Sequence, residues 1–182
     1  MSRLDLSSKS EYSLNSKKYE EIEKLCGLFP QVDLMANQIN VLHGPDGLPL
    51  QYFSNQVNCA DDPNCIGGNF FTVDLETLDK TVLYWIYPPD FSKLTVLYKA
   101  MKARIPALIM LVSSIDQPWM VDVQCKEAKI WHLANPWDWN VLSLNNKPVR
   151  PGKNVYVVVT KPAIELAKRN KHTFSTSFLA ED

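Results

Sequence analysis

No stretch of this sequence is apolar for long enough to cross a bilayer. The longest run, Ala107–Val112, is far shorter than the about 20 residues a membrane-spanning helix needs. An apolar leader is also missing, since Met1–Ser16 is polar and Ser-rich, so secretion is not expected. Charge of either sign is not in excess: 19 Lys and Arg face 20 Asp and Glu, a net charge of −1. No global field therefore points to a nucleic-acid partner, and any such surface must be a local patch. Cysteine is sparse. Four residues at irregular spacing form no disulfide framework and suit reduced thiols, so an intracellular setting, cytoplasmic or nuclear, is expected. Internal repeats are absent.

What remains is ordinary for a globular chain: 46% hydrophobic and 21% charged residues over 182 positions, enough for one domain with a sizeable core. Residues 1–16 read as a disordered segment, 17–172 as a single α/β domain, and 173–182 as a loose tail. Tyr19, Ile22, Leu25 and Cys26 share one face of a helix expected over Lys17–Leu28, which Gly27 and Pro30 end. Val32–Ala36 reads as a short strand, 43–47 as a turn, and Asn55–Asn69 as a long irregular stretch. Thr81–Tyr87 and Ala107–Ser113 are continuous apolar runs, the pattern of strands covered on both faces of a parallel sheet. Phe91–Lys102, Asp116–Glu127 and Pro162–Asn170 read as helices. Lys129–Ala134, Val141–Leu144 and Val155–Thr160 read as strands. This alternation predicts an α/β fold with a mostly parallel sheet flanked by helices.

The most unusual construction is Tyr87-Pro88-Pro89-Asp90-Phe91, where a buried strand breaks at two prolines and re-enters a helix. Each proline fixes φ and removes a backbone donor, so no ladder continues through the pair. A rigid loop is thereby predicted at the carboxyl end of a strand, where open α/β sheets bind ligands.

Three blocks carry a family resemblance. Val32-Asp33-Leu34-Met35-Ala36 with Asn37 to Asn40 is similar to a "DLFAS…N" segment. Tyr84 to Lys99 is similar to "YAFPPFSLI…VLxK". Ala107 to Met120, closing on Gln117-Pro118-Trp119, is similar to "lIvPlWpsQpW". In this order they resemble phage-type DNA N6-adenine methyltransferases, and especially the degenerate domains of that family in DIRS- and Ngaro-type retrotransposon polyproteins. The resemblance implies a Rossmann-like, methyltransferase-type sheet. It puts the family's catalytic loop, (Asp/Asn)-Pro-Pro-(Tyr/Phe/Trp), on Tyr87, Pro88, Pro89, Asp90 and Phe91, and a cofactor-binding role on Asp33.

The chain departs from that loop where chemistry is most demanding. The first position must accept hydrogen bonds from the adenine amino group, and the last must stack on a base taken out of its helix. Tyr87 carries a phenol in place of the carboxamide, and Asp90 cannot stack, although Phe91 could if Asp90 is an insertion. No Gly-rich cofactor turn is present; Cys65-Ile66-Gly67-Gly68 is not one. The expectation is a non-catalytic, degenerate domain of retroelement or viral origin, acting as a nucleic-acid-associated scaffold or interaction module, with no cofactor and with its cavity filled by Tyr87 and Phe91. Two alternatives stay open. One is an active S-adenosylmethionine-dependent DNA adenine methyltransferase with an altered loop, and the other is an α/β subunit of a larger assembly.

Other groupings take plainer readings. Cys59 and Cys65, with Asp61, Asp62 and His43, lack a zinc-knuckle spacing, and a solvated acidic loop with no metal is expected. Cys26 and Cys125 read as buried thiols. Trp131 and Trp139 read as core anchors and Trp137 as an exposed ring open to a partner. Lys168, Arg169 and Lys171 form the basic cluster expected to face nucleic acid, or else to complement a helix dipole. Protein partners are expected; a membrane is not.

Overall fold

A computed structural model describes residues 12–56, 59–144 and 147–170. Ten strands and four α-helices run in chain order. These are β1 (Ser13–Leu14), α1 (Tyr19–Cys26), β2 (Val32–Asp33), β3 (Gln51–Phe53), β4 (Cys65–Gly67), β5 (Tyr84–Ile86), α2 (Lys93–Ala103), β6 (Ala107–Ser113), α3 (Pro118–Cys125), β7 (Lys129–Ala134), β8 (Leu142–Leu144), β9 (Lys147–Val149), β10 (Asn154–Val159) and α4 (Lys161–Arg169). Seven strands form one sheet in the order β4-β3-β2-β5-β6-β10-β7, and β1, β8 and β9 form a small second sheet. Pairing is parallel from β4 across to β6, whereas β10 runs antiparallel to both β6 and β7. The protein is thus an α/β domain built on a mostly parallel sheet.

The apolar runs of the central strands divide by alternation between two cores. Ala107, Ile109 and Leu111 of β6, Tyr84 and Ile86 of β5, and Tyr156 and Val158 of β10 face one side, against Val96, Leu97 and Ala100 of α2 and Trp119 and Val123 of α3. Leu108, Met110, Trp85, Val155, Val157 and Val159 face the other, against Ile22 and Leu25 of α1 and Ala163, Leu166 and Ala167 of α4. A strand covered on both faces has no solvent side, which is why these segments read as unbroken apolar runs. Thr160 closes β10 from within. Its Oγ1 donates to the Ile105 carbonyl at 2.8 Å and accepts from the Ala107 N–H at 3.0 Å.

Several expectations are corrected. The segment expected to be disordered through residue 16 is ordered at its end: Ser13 and Leu14 pair with Ser143 and Leu142, and the Asn15 side chain accepts from the Lys17 N–H. The long irregular stretch contains β4, held by pairing with β3 rather than by any apolar pattern of its own. Gly67 suits that position because a Cβ there would meet the Phe53 ring at 2.3 Å. Cys125 is exposed, not buried, because it ends α3 on the solvent side. Trp139 is 49% exposed and Trp131 half-buried, so the buried indole anchors are Trp85 and Trp119.

Candidate functional site

The chain lays down β2, moves outward to β3 and β4, then returns to the other side of β2 with β5. That reversal leaves a crevice between the carboxyl ends of β2 and β5, the position at which open α/β sheets take their ligands. A cavity of about 740 Å3 occupies it. Its walls come from five connections. Leu34 to Asn37 and Asn40 follow β2; Asn55 and Gln56 follow β3; Asn69 and Phe70 follow β4; Tyr87 to Phe91 and Lys93 follow β5; and Arg150 to Lys153 precede β10. The last group reaches this edge because β10 is antiparallel to β6, with Asn154 opposite Ser113 at the carboxyl end of β6. Tyr12 and Leu142, from the small sheet, also face the cavity.

The Pro-Pro loop is held at both ends. Beyond Pro89 the chain makes a 3-10 turn over Asp90–Ser92, in which the Ser92 N–H donates to the Pro89 carbonyl at 3.1 Å. The Lys93 ammonium donates to Asp90 Oδ1 at 2.9 Å and to the Val112 carbonyl at 2.8 Å, tying the loop to the end of β6. Tyr87 is half-buried against the core that faces α1 and α4. Burial first, then the nearby Tyr12 and Asp90, pushes its phenol above the usual tyrosine range, so it is a neutral hydroxyl at any working pH. Phe91 is 77% exposed at the mouth. The expectation that Tyr87 and Phe91 fill the cavity is therefore corrected: a ring this exposed leaves the crevice open.

Asp33 does not line the cavity. It is 2% exposed, and its carboxylate accepts from the Met35 N–H at 3.2 Å and from the Leu42 N–H at 3.0 Å. Burial outweighs these two hydrogen bonds and raises its pKa to about 7. Its work is to fold the β2 exit, which places Asn37. Asn37 is 4% exposed; its Oδ1 accepts from the Ile39 N–H at 2.8 Å and the Asn40 N–H at 2.9 Å. Both bonds fall on the oxygen, so the NH2 group points elsewhere, without a partner among the described residues.

Across the cavity, Arg150 lies over the Trp139 ring with its guanidinium carbon 4.6 Å from the centroid. Gly152, at φ 79°, turns the chain between Arg150 and Lys153, and its N–H donates to the Pro136 carbonyl at 3.0 Å. Among the described residues neither Arg150 nor Lys153 has a carboxylate partner.

Tyr87, Pro88, Pro89, Asp90 and Phe91 all line the cavity. The structure separates the others. Trp137 is exposed but does not line the cavity, although its neighbour Trp139 carries Arg150. Lys168 and Arg169 end α4; Arg169 lines a second cleft of about 480 Å3, with Arg104, Lys126 and Lys161, beside the amino ends of β6 and β7. Lys171 lies outside the described residues. Asn37, Arg150 and Lys153 were not singled out as site residues: the first stands in the Asn37 to Asn40 end of the β2 block, and the other two fall among the basic residues gathered late in the sequence, where a phosphate-binding stripe competes with a solvated face. Among the described residues no three His, Cys, Asp or Glu side chains are placed to hold a metal ion, and no helix is long and apolar enough to cross a membrane. The chain matches no family model, no curated protein and no solved structure.

Proposed function

We propose that this chain is a degenerate Rossmann-like domain of the DNA adenine methyltransferase type, of retroelement or viral descent, working as a nucleic-acid-associated binding module without methyl transfer. The observation that carries this reading is a Pro-Pro loop at the switch-point cavity whose acceptor position is occupied by Tyr87, half-buried against the core. Strand order supports the fold part of it. Counted within the large sheet, the order is 3-2-1-4-5-7-6 with only the seventh strand reversed, which shares the 3-2-1-4-5 core order of doubly wound Rossmann-like sheets. Exposed aromatic rings at Phe91 and Trp139 beside Arg150 and Lys153 support nucleic-acid association, since bases stack on rings and phosphates seek cations.

Loss of transfer follows from chemistry. An adenine amine becomes nucleophilic when an oxygen acceptor holds its hydrogens in the reacting geometry. Tyr87 puts a half-buried phenol at that position, an acceptor of different reach and geometry from a carboxamide or carboxylate, and Asp90 is directed to Lys93. The open cavity favours a second reading, an active S-adenosylmethionine-dependent enzyme with a rewired amine site. Labelled methyl transfer to single- and double-stranded DNA decides between them. The expected result is no incorporation by the wild-type protein alongside retained, salt-sensitive DNA binding. Incorporation above that of a heat-inactivated control, abolished by Pro88→Ala, would establish the enzyme instead.

A further inference from the structure

The cavity has a chemical polarity that the reading above does not use. One wall is made of carboxamides: Asn37, Asn55 and Asn69 converge on it from the ends of β2, β3 and β4. The opposite wall carries Arg150 and Lys153. The third cation, Lys93, is already engaged by Asp90, the one acidic residue of the lining among the described residues. Two cations are therefore left facing the space, with no other carboxylate of the described lining to balance them. Asn55 stands just beyond the end of β3, where dinucleotide-binding sheets place an acid against ribose hydroxyls. A sulfonium or an ammonium would have to compete with Lys93 for Asp90.

We infer that the cavity binds a nucleoside 5′-phosphate, its base and sugar against the carboxamide wall and its phosphate on Arg150 and Lys153. Asn37 supplies the buried donor. Its oxygen is committed to two backbone N–H groups while its NH2 has no partner among the described residues, which leaves it to water or to an acceptor on a ligand. Arg150 is pre-positioned by stacking on Trp139, so its planar fork meets a phosphate with little further ordering. Phe70, buried at the same wall, and the proline faces of the β5 loop give the base an apolar surface. A volume of about 740 Å3 lies within the range of small-molecule sites. The inference does not depend on the chain's descent or on whether methyl transfer is lost.

The phosphate can belong to a free nucleotide or to the 5′ end of a strand, and one calorimetric series separates the two. The full chain is titrated with ADP, with S-adenosylmethionine, and with a twelve-nucleotide oligothymidine that either carries or lacks a 5′-phosphate. Binding of ADP, or of the phosphorylated strand over its unphosphorylated twin, is the expected result, and the tighter of the two names the source. The Arg150→Ala, Lys153→Ala double variant should weaken it by about a hundredfold, tenfold for each charge-assisted contact. Asn37→Asp keeps the acceptors for Ile39 and Asn40, loses the donors, and should weaken it while an unchanged melting temperature shows the fold intact. Three results would overturn the assignment: S-adenosylmethionine binding with no ADP or phosphate-dependent binding, no binding of any probe, or affinity unaffected in the double variant. A DNA-binding protein that transfers no methyl group yet ignores every phosphate probe would sink this inference and leave the proposed function standing.

Discussion

At the scale of single residues, Asp33 shows how a side chain at a ligand-facing strand end can be structural. Its two oxygens are spent on the Met35 and Leu42 amides, and burial raises its pKa to about 7. A carboxyl with a raised folded pKa binds its proton more readily in the native state than in the unfolded one. Its contribution to stability is therefore full below about pH 4 and is lost as pH rises towards 7, by on the order of 4 kcal/mol. Asn at this position keeps one acceptor and does not titrate, at a cost of about 1–3 kcal/mol for the orphaned amide. Urea unfolding of both proteins between pH 4 and pH 8 should show the gap between wild type and Asp33→Asn widest at the acid end and narrowing towards neutrality. A gap independent of pH would mean that Asp33 is charged throughout. From sequence this position resembled a cofactor ligand; its partner, Leu42, lies nine residues on, in a stretch with no helical or strand pattern to reveal the contact.

At the scale of elements, Lys93 joins the 3-10 turn to β6. Replacing it with Met removes the bonds to Asp90 and to the Val112 carbonyl while keeping the buried stem. Hydrogen exchange at Ser92 should then speed by about tenfold, with α2 beyond its first turn unchanged. Elements carried by an apolar run were the legible ones. Ala107–Ser113 and Lys129–Ala134 have the same bounds in the sequence pattern and in the structure. The strands β3, β4 and β9 were not legible, because Gln51–Phe53, Cys65–Gly67 and Lys147–Val149 carry no apolar run and their pairing is dictated by neighbours. The Pro-Pro loop could be read because proline acts on the chain locally. Arg150 and Lys153 were legible only as members of a late basic cluster, since it is the reversal of β10 that brings them to the carboxyl edge of the sheet.

At the scale of the whole molecule, β10 is the strand on which the sheet depends. It sits between β6 and β7, pairs with both along nearly its whole length, and buries Val155, Tyr156, Val157, Val158 and Val159. A chain ending at Lys153 would leave two long apolar edges facing each other across a gap. Such a fragment should show no cooperative thermal transition by circular dichroism, whereas the full chain should melt in a single step; a sharp transition in the fragment would show that β6 and β7 can close on each other. The same placement governs synthesis. A ribosome delivers β6 and β7 before the strand that must slide between them, so the growing chain waits with its centre unformed and in need of shielding from other chains. The crevice shares that timing, because Arg150 and Lys153 lead directly into β10: the docking of that late strand brings the cationic wall of the cavity to the carboxyl edge of the sheet.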